Sequence, residues 1–223
     1  MPAEAFLLIG PTGAGKTPLG MLIDELGLWG RPCRHFDFGE RLRRAAAADR
    51  PPDGLAAADV AVIREVLRTG ALLEDHQFPI ARALLEAFIR SPAPDRPWRT
   101  GEQEGILLNG LPRHVGQAED VAAIVTVRAV IHLDCPPDVV AARIRANTGG
   151  DRAGRDDDDR EAVQQRLDLF NRRIGPLVEH YRWAGVPVAV VRVTADATPG
   201  AMWKDLNARS VGDRLSDERH DVL

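Results

Sequence analysis

Five short apolar runs punctuate the chain: residues 5–9 (AFLLI), 33–38 (CRHFDF), 105–109 (GILLN), 129–134 (AVIHLD) and 187–193 (PVAVVRV). The first, third and fourth show little alternation of apolar with polar positions, as parallel strands covered on both faces do. Between the runs, apolar residues recur at helical spacing. Ile63, Val66 and Leu67 share a face within 59–69, and Ile80, Leu84 and Phe88 recur every four residues within 79–90. Over 158–184, Val163, Leu167, Phe170, Ile174, Leu177 and Tyr181 step by four, three, four, three and four, which predicts one long amphipathic helix. Strands alternating with helices predict a parallel α/β sheet joined by right-handed crossovers. Two helical patterns lie between the second and third strands. One crossover needs fewer, so part of this stretch is expected to form an inserted lobe.

Three stretches read as loops. Residues 50–54 (RPPDG) carry turn chemistry, and 91–105 is rich in proline and glycine. Residues 147–159 (NTGGDRAGRDDDD) are too polar for a core and are expected to be solvated or to cover a charged ligand. The tail from about Asn207 is polar and expected to fray. No apolar run approaches the roughly 18 residues a bilayer span requires, and the N-terminus lacks the marks of a signal peptide. A cytoplasmic location without a membrane partner is therefore expected. The net charge of −4 argues against a nucleic-acid partner. Cys33 and Cys135 match no metal spacing, so they read as buried thiols. No long apolar helix face is left unexplained, and a monomer is expected.

Lysine placement changes the picture. The 223 residues hold only two lysines, Lys16 and Lys204, against 27 arginines. Lys16 falls in GPTGAGKT (10–17), directly after the first apolar run. Gly10-x4-Gly15-Lys16-Thr17 is a P-loop, and strand, loop and helix come in the order the motif requires. Gly10, Gly13, Ala14 and Gly15 allow backbone N–H groups to converge on phosphate oxygens. The helix that follows adds its positive end. Lys16 is placed to reach the β- and γ-phosphates, and the Thr17 hydroxyl to ligate Mg2+. The expected ligand is ATP with Mg2+.

Beyond this loop the chain resembles the adenylate kinases and related nucleoside monophosphate kinases over nearly its full length. Five segments carry the resemblance: FDFGERLR (36–43), VLRTGALLEDH (66–76), ILLNGLPRHVGQAEDV (106–121), VIHLDCPPDVVAARI (130–144) and GRDDDDREAVQQRL (154–167). It implies an α/β P-loop fold in three layers, with a five-stranded parallel sheet flanked by helices. It implies a single kinase domain over 1–208, with core segments 1–36, 91–146 and 160–208, an NMP-binding lobe at about 37–90, a short lid at about 147–159, and a tail at 209–223. Lys16, Arg113, Arg155 and Arg166 would be catalytic. Arg143 would stack on the donor base. The acceptor nucleotide would meet Phe38, Gly39, Arg43, Leu73, Gly110, Arg113, Gln117, Arg155 and Arg166. Thr17 and Asn109 would hold Mg2+, largely through water, and the lid has no cysteines for a structural zinc.

The physics of that layout stands without the resemblance. Moving a γ-phosphoryl group onto a second phosphate gathers negative charge, so positive groups, in-line geometry and exclusion of water are what the catalyst supplies. Arginine suits the task because its planar fork binds phosphate oxygens bidentately and stays charged. Several positions depart from the family. Asn109 stands where the family has an aspartate, Phe38 where it often has threonine, Glu40 where it has a shorter acid, and Asn147 where a lid-entry arginine is expected. The expected reaction is ATP + AMP = 2 ADP, with Gln117 reading the adenine edge. The alternatives are another acceptor (CMP, UMP or a small metabolite) or a weakly catalytic nucleotide sensor.

Overall fold

The structure, a computed structural model, describes residues 2–91, 104–147 and 160–208; within the last stretch the side chains of 160–163 and 166 are not described. Five strands form one parallel sheet among these residues: β1 (Ala3–Ile9), β2 (Cys33–Asp37), β3 (Gly105–Asn109), β4 (Val125–Asp134) and β5 (Val188–Arg192), in the order β2-β3-β1-β4-β5. Each strand lies within a few residues of an apolar run seen in the sequence. The strands are apolar on both faces because both faces are covered. On β1, Ala5, Leu7 and Ile9 join one apolar cluster, while Phe6 and Leu8 join the other. This is the period-two alternation of a strand sorting its side chains into two separate cores.

The first core takes the helices that follow β2. Helices α2 (Phe38–Ala47), α3 (Ala57–Thr69) and α4 (Phe78–Arg90) contribute Phe38, Leu42, Ile63, Val66, Ile80, Leu84 and Phe88 to it. Both helical patterns expected between the second and third strands are present, and α2 is an additional helix. The sequence marks its start after the fact: the Asp37 carboxylate accepts from the Glu40 N–H at 2.9 Å, an N-cap. Arg34 on β2 fixes both described edges of the 91–104 connection, donating to the Ser91 carbonyl at 2.7 Å and pairing with Glu104 at 2.8 Å. The second core takes α1 (Lys16–Leu26), α6 (Pro137–Ala146) and α9 (Pro199–Ala208), through Leu19, Ile23, Val140, Met202 and Leu206.

The single helix expected over 158–184 is corrected by the structure. It is three pieces: α7 (Arg160–Leu169), a π-helical turn (Phe170–Ile174) and α8 (Pro176–Trp183). The physical cause is Pro176, which has no N–H to donate back into the helix. The ladder widens by one residue, and the Gly175 N–H bonds the Phe170 carbonyl at 2.8 Å. The shift in phase sends the apolar stripe to different places. Leu167 enters the second core, whereas Leu177 and Tyr181 enter the first. No helix among the described residues is long and apolar enough to cross a membrane.

Leu108 on β3 is 1 % exposed and lies in the first core. Leu108→Ala is expected to lower unfolding free energy by about 2–5 kcal/mol, measured by urea denaturation.

Candidate functional site

The carboxyl ends of β1, β2 and β3 open onto a common cleft of about 260 Å³, the position where open parallel sheets bind ligands. Gly10, Thr12 and Lys16 form one wall, and Gly39 and Arg43 from the start of α2 form the next. Gly110 to Arg113, directly after β3, close the floor. An apolar side is built from Leu42, Val66, Leu67 and Leu72, faced by Phe170 and Ile174 of the π turn. Phe170 and Ile174 are half-buried, packed against the first core on one side and lining the cleft on the other.

The loop between β1 and α1 has the expected conformation. Gly13 and Gly15 take φ of 78° and 94°, which favours glycine. Space requires glycine there too: a Cβ on Gly13 would lie 2.9 Å from Ile144 Cγ1. Lys16 Nζ donates to the Gly10 and Pro11 carbonyls, each at 2.7 Å, so the ammonium sits inside the loop it serves. Ala14 is fully buried behind it. Backbone N–H groups, a helix start and an ammonium in one place suit a polyphosphate.

Arg113 and Arg43 bring further positive charge to the cleft. Arg113 Nε donates to the Gly110 carbonyl at 2.9 Å, and the guanidinium lies 5.3 Å from the centre of the Phe38 ring. Arg113 is half-buried at the cleft, and desolvation pulls its pKa down to about 10, so it remains a cation at neutral pH.

Three side chains meet just below the cleft floor. Thr17 Oγ1 donates to Asp37 Oδ2 at 2.6 Å, and Asn109 Nδ2 donates to Asp37 Oδ2 at 2.9 Å and to Thr17 Oγ1 at 3.3 Å. Asp37 and Asn109 are direct partners in the β2–β3 register. Burial alone would raise the Asp37 carboxyl. Hydrogen bonds from Thr17 and the Glu40 N–H, with nearby His35 and the positive charge of Arg43, outweigh it and hold the carboxyl below its usual value. A hydroxyl and a charged carboxylate beside a phosphate-binding loop are hard oxygen donors. They fit Mg2+, which takes one or two carboxylates and keeps much of its water. The metal pair expected from sequence, Thr17 and Asn109, lies together here, and Asp37 joins it. Asn109 turns its NH2 group toward Asp37 and Thr17, so only its Oδ1 is left to accept from a metal-bound water.

Other expected residues are placed elsewhere. Phe38 is fully buried in the first core, beside Phe36, and offers no face to a ligand. Gln117 on α5 (Gly116–Ala122) is also fully buried, with both ends of its amide engaged. Its Oε1 accepts from the Arg113 N–H at 2.9 Å, and its Nε2 donates to the Leu73 carbonyl at 3.0 Å. The Leu73 carbonyl therefore faces α5, and the neighbouring Leu72 lines the cleft in its place. Arg143 is 2 % exposed and presents no plane for stacking on a base. Its Nε donates to the Gly13 carbonyl at 3.1 Å, and its Nη1 to the Thr194 and Ala197 carbonyls, both at 2.8 Å. It is a strut beneath the phosphate loop. Asn147 ends α6 in the left-handed region (φ 47°), a conformation asparagine tolerates better than arginine. Arg155, with the acids Asp157 and Asp158, lies outside the described residues, as does the Arg166 side chain.

The chain is 30% identical over 190 residues to an adenylate kinase of a Synechococcus species (strain CC9311), covering 82% of this chain and 87% of that one. It is 28% identical over 230 residues to an adenylate kinase of Natronomonas pharaonis, covering 93% and 97%. Among solved structures it is similar to a gluconokinase from Sinorhizobium meliloti 1021, with a TM-score of 0.50, 17% identity and coverage of 93% and 90%. That likeness is one of fold. No protein-family model matches the chain.

Two outcomes follow from the site. Gln117→Leu leaves the Arg113 N–H without its partner and the Leu73 carbonyl with only the His114 ring, 3.4 Å away, and is expected to cost about 1–3 kcal/mol of stability, measured by urea denaturation. Asp37, with its lowered folded value, contributes stability that is complete above the ordinary carboxylate value of about 3.9 and is lost as pH falls through the lower folded one. The Tm advantage of the wild type over Asp37→Asn is therefore expected to be largest near neutral pH and to shrink below about pH 4, measured by thermal scans across pH.

Proposed function

The chain is a P-loop kinase that belongs to the adenylate kinase family, and from that premise we propose that it transfers the γ-phosphoryl group of ATP to a nucleoside monophosphate, AMP first. One observation carries the reading: Lys16, Arg43 and Arg113 line a single cleft with the phosphate loop, at the carboxyl ends of three strands. In this proposal Gly10 to Thr17 hold the donor's phosphates, and Lys16 bridges toward the transferred group. Arg113 stabilises the charge that develops between donor and acceptor. Arg43 and Gly39 face the acceptor's phosphate, and the shelf of Leu42, Val66 and Leu72 takes its flat base. Arg155 and Arg166 keep the phosphate-binding roles the resemblance gives them. Mg2+ supplies charge neutralisation on the phosphate oxygens.

The name shared by the relatives supports AMP. A second acceptor reading is favoured by one placement: Phe38 and Gln117, both expected beside an acceptor base, stand off the cleft. Under that reading CMP, UMP or another small phosphorylatable metabolite replaces AMP. A coupled assay across AMP, CMP, UMP, GMP, dTMP and non-nucleotide acceptors separates them. AMP is expected to give the highest kcat/KM. Turnover of another acceptor without AMP would overturn the choice of acceptor, and ATP binding without any product would favour a sensor. Arg113→Ala is expected to lower kcat by about 10²–10³-fold, measured at saturating substrates.

A further inference from the structure

We propose that Asp37 supplies the anionic charge for the nucleotide-bound Mg2+ in this protein, and that Asn109 is the neutral residue that aims it. The inference deepens the ATP-binding reading and rests on it. The chain has moved its carboxylate by one strand. In the resemblance the acid belongs at the end of β3, where this protein has Asn109. The structure places an acid directly across the β2–β3 ladder, at Asp37.

Position and charge support the assignment together. One oxygen of Asp37, Oδ1, caps α2 through the Glu40 N–H. The other, Oδ2, is 2.6 Å from the hydroxyl of Thr17, the first threonine after the loop lysine. Asn109 donates to that same oxygen, which fixes its direction, and reaches Thr17 as well. A capping role alone explains Oδ1 but gives no reason for the second oxygen to meet Thr17, on the helix after β1 and two strands away in the sheet. A carboxylate at 109 facing one at 37 would set two like charges side by side, which neither tolerates without a raised pKa. One acid and one amide across the ladder is the arrangement that keeps a single full charge. Asp37 is 6 % exposed and is not among the residues that line the cleft beside Lys16, Gly39 and Gly110, so water is the natural intermediary to a hydrated Mg2+.

The test compares ATP binding with and without Mg2+, by calorimetry on the full chain, for the wild type, Asp37→Asn, Asn109→Asp and the double swap. Asparagine is as good an N-cap as aspartate, so α2 is expected to survive the substitution at 37. The Asp37→Asn protein is expected to bind Mg2+-free ATP at least as tightly as the wild type. That result shows the fold and the phosphate loop intact. Its affinity for Mg2+ in the ATP complex is expected to fall by about 10–100-fold. The double swap, which returns one carboxylate to the ladder on the other strand, is expected to recover most of the loss. Mn2+ as a paramagnetic probe, read by EPR in the ATP complex, gives the same comparison without turnover. If Asp37→Asn binds ATP and its Mg2+ affinity is unchanged, the inference is wrong while the ATP reading stands. If the single variant loses Mg2+ affinity and the double swap does not recover it, the charge-relocation account is wrong. If the wild type binds no ATP in either condition, both the inference and its parent reading fall.

Discussion

A loop that turns its N–H groups inward must turn carbonyls outward, and those carbonyls need partners. In this protein two cations provide them. Lys16 folds back on the Gly10 and Pro11 carbonyls, and Arg143 takes the Gly13 carbonyl from below. The same guanidinium reaches the Thr194 and Ala197 carbonyls beyond β5, so one planar fork ties the phosphate loop to the far side of the sheet. The planar fork presents its donors from separate nitrogens, Nε to the loop and Nη1 to the segment after β5, which a single ammonium nitrogen does not. The glycines that give the loop its shape are thus held by a residue more than a hundred positions away. The cleft wall that Gly10, Thr12 and Lys16 form depends on that tie.

The charge balance around the cleft follows from where strands end. In a parallel sheet all carboxyl ends point the same way, so the residues after β1, β2 and β3 converge regardless of their distance in sequence. Convergence brings cations and one carboxylate together. Arg113 and Arg43 both lie near enough to Asp37 for their charges to be felt. The carboxylate offsets part of the repulsion between the two arginines, and the arginines help keep it ionised despite burial. Arg113 remains protonated under conditions that desolvate it strongly, which is the property a transferred phosphoryl group requires of its partner.

Polar groups next to the cleft divide into those that face it and those that brace it. Gln117 is a brace: it holds the Arg113 backbone with one end of its amide and the Leu73 carbonyl with the other. That links the segment after β3 to the turn before α4, the two stretches that form the floor and one side of the cleft. The π turn at 170–174 works in the opposite sense. Phe170 and Ile174 there pack against the first core and line the cleft as well.

The strands, the phosphate loop and the helices at 59–69 and 79–90 were legible in the sequence because each depends on local chemistry. Apolar periodicity reports which faces are covered, and Gly10 to Thr17 carry their meaning in eight consecutive residues. The convergence of Gly39, Arg43, Gly110 and Arg113 was legible only through resemblance, since no local signal says which strand ends will be neighbours. Tertiary structure alone decided the rest. Whether Gln117, Phe38 and Arg143 face a ligand or the interior depends on which partners packing brings to them, and a side chain's type does not specify that. The pairing of Asp37 with Asn109 comes from strand order β2-β3-β1, which sets adjacent two residues 72 positions apart. Sequence states what each residue is able to do; the sheet decides which residues act together, because only packing sets distances between segments far apart in the chain.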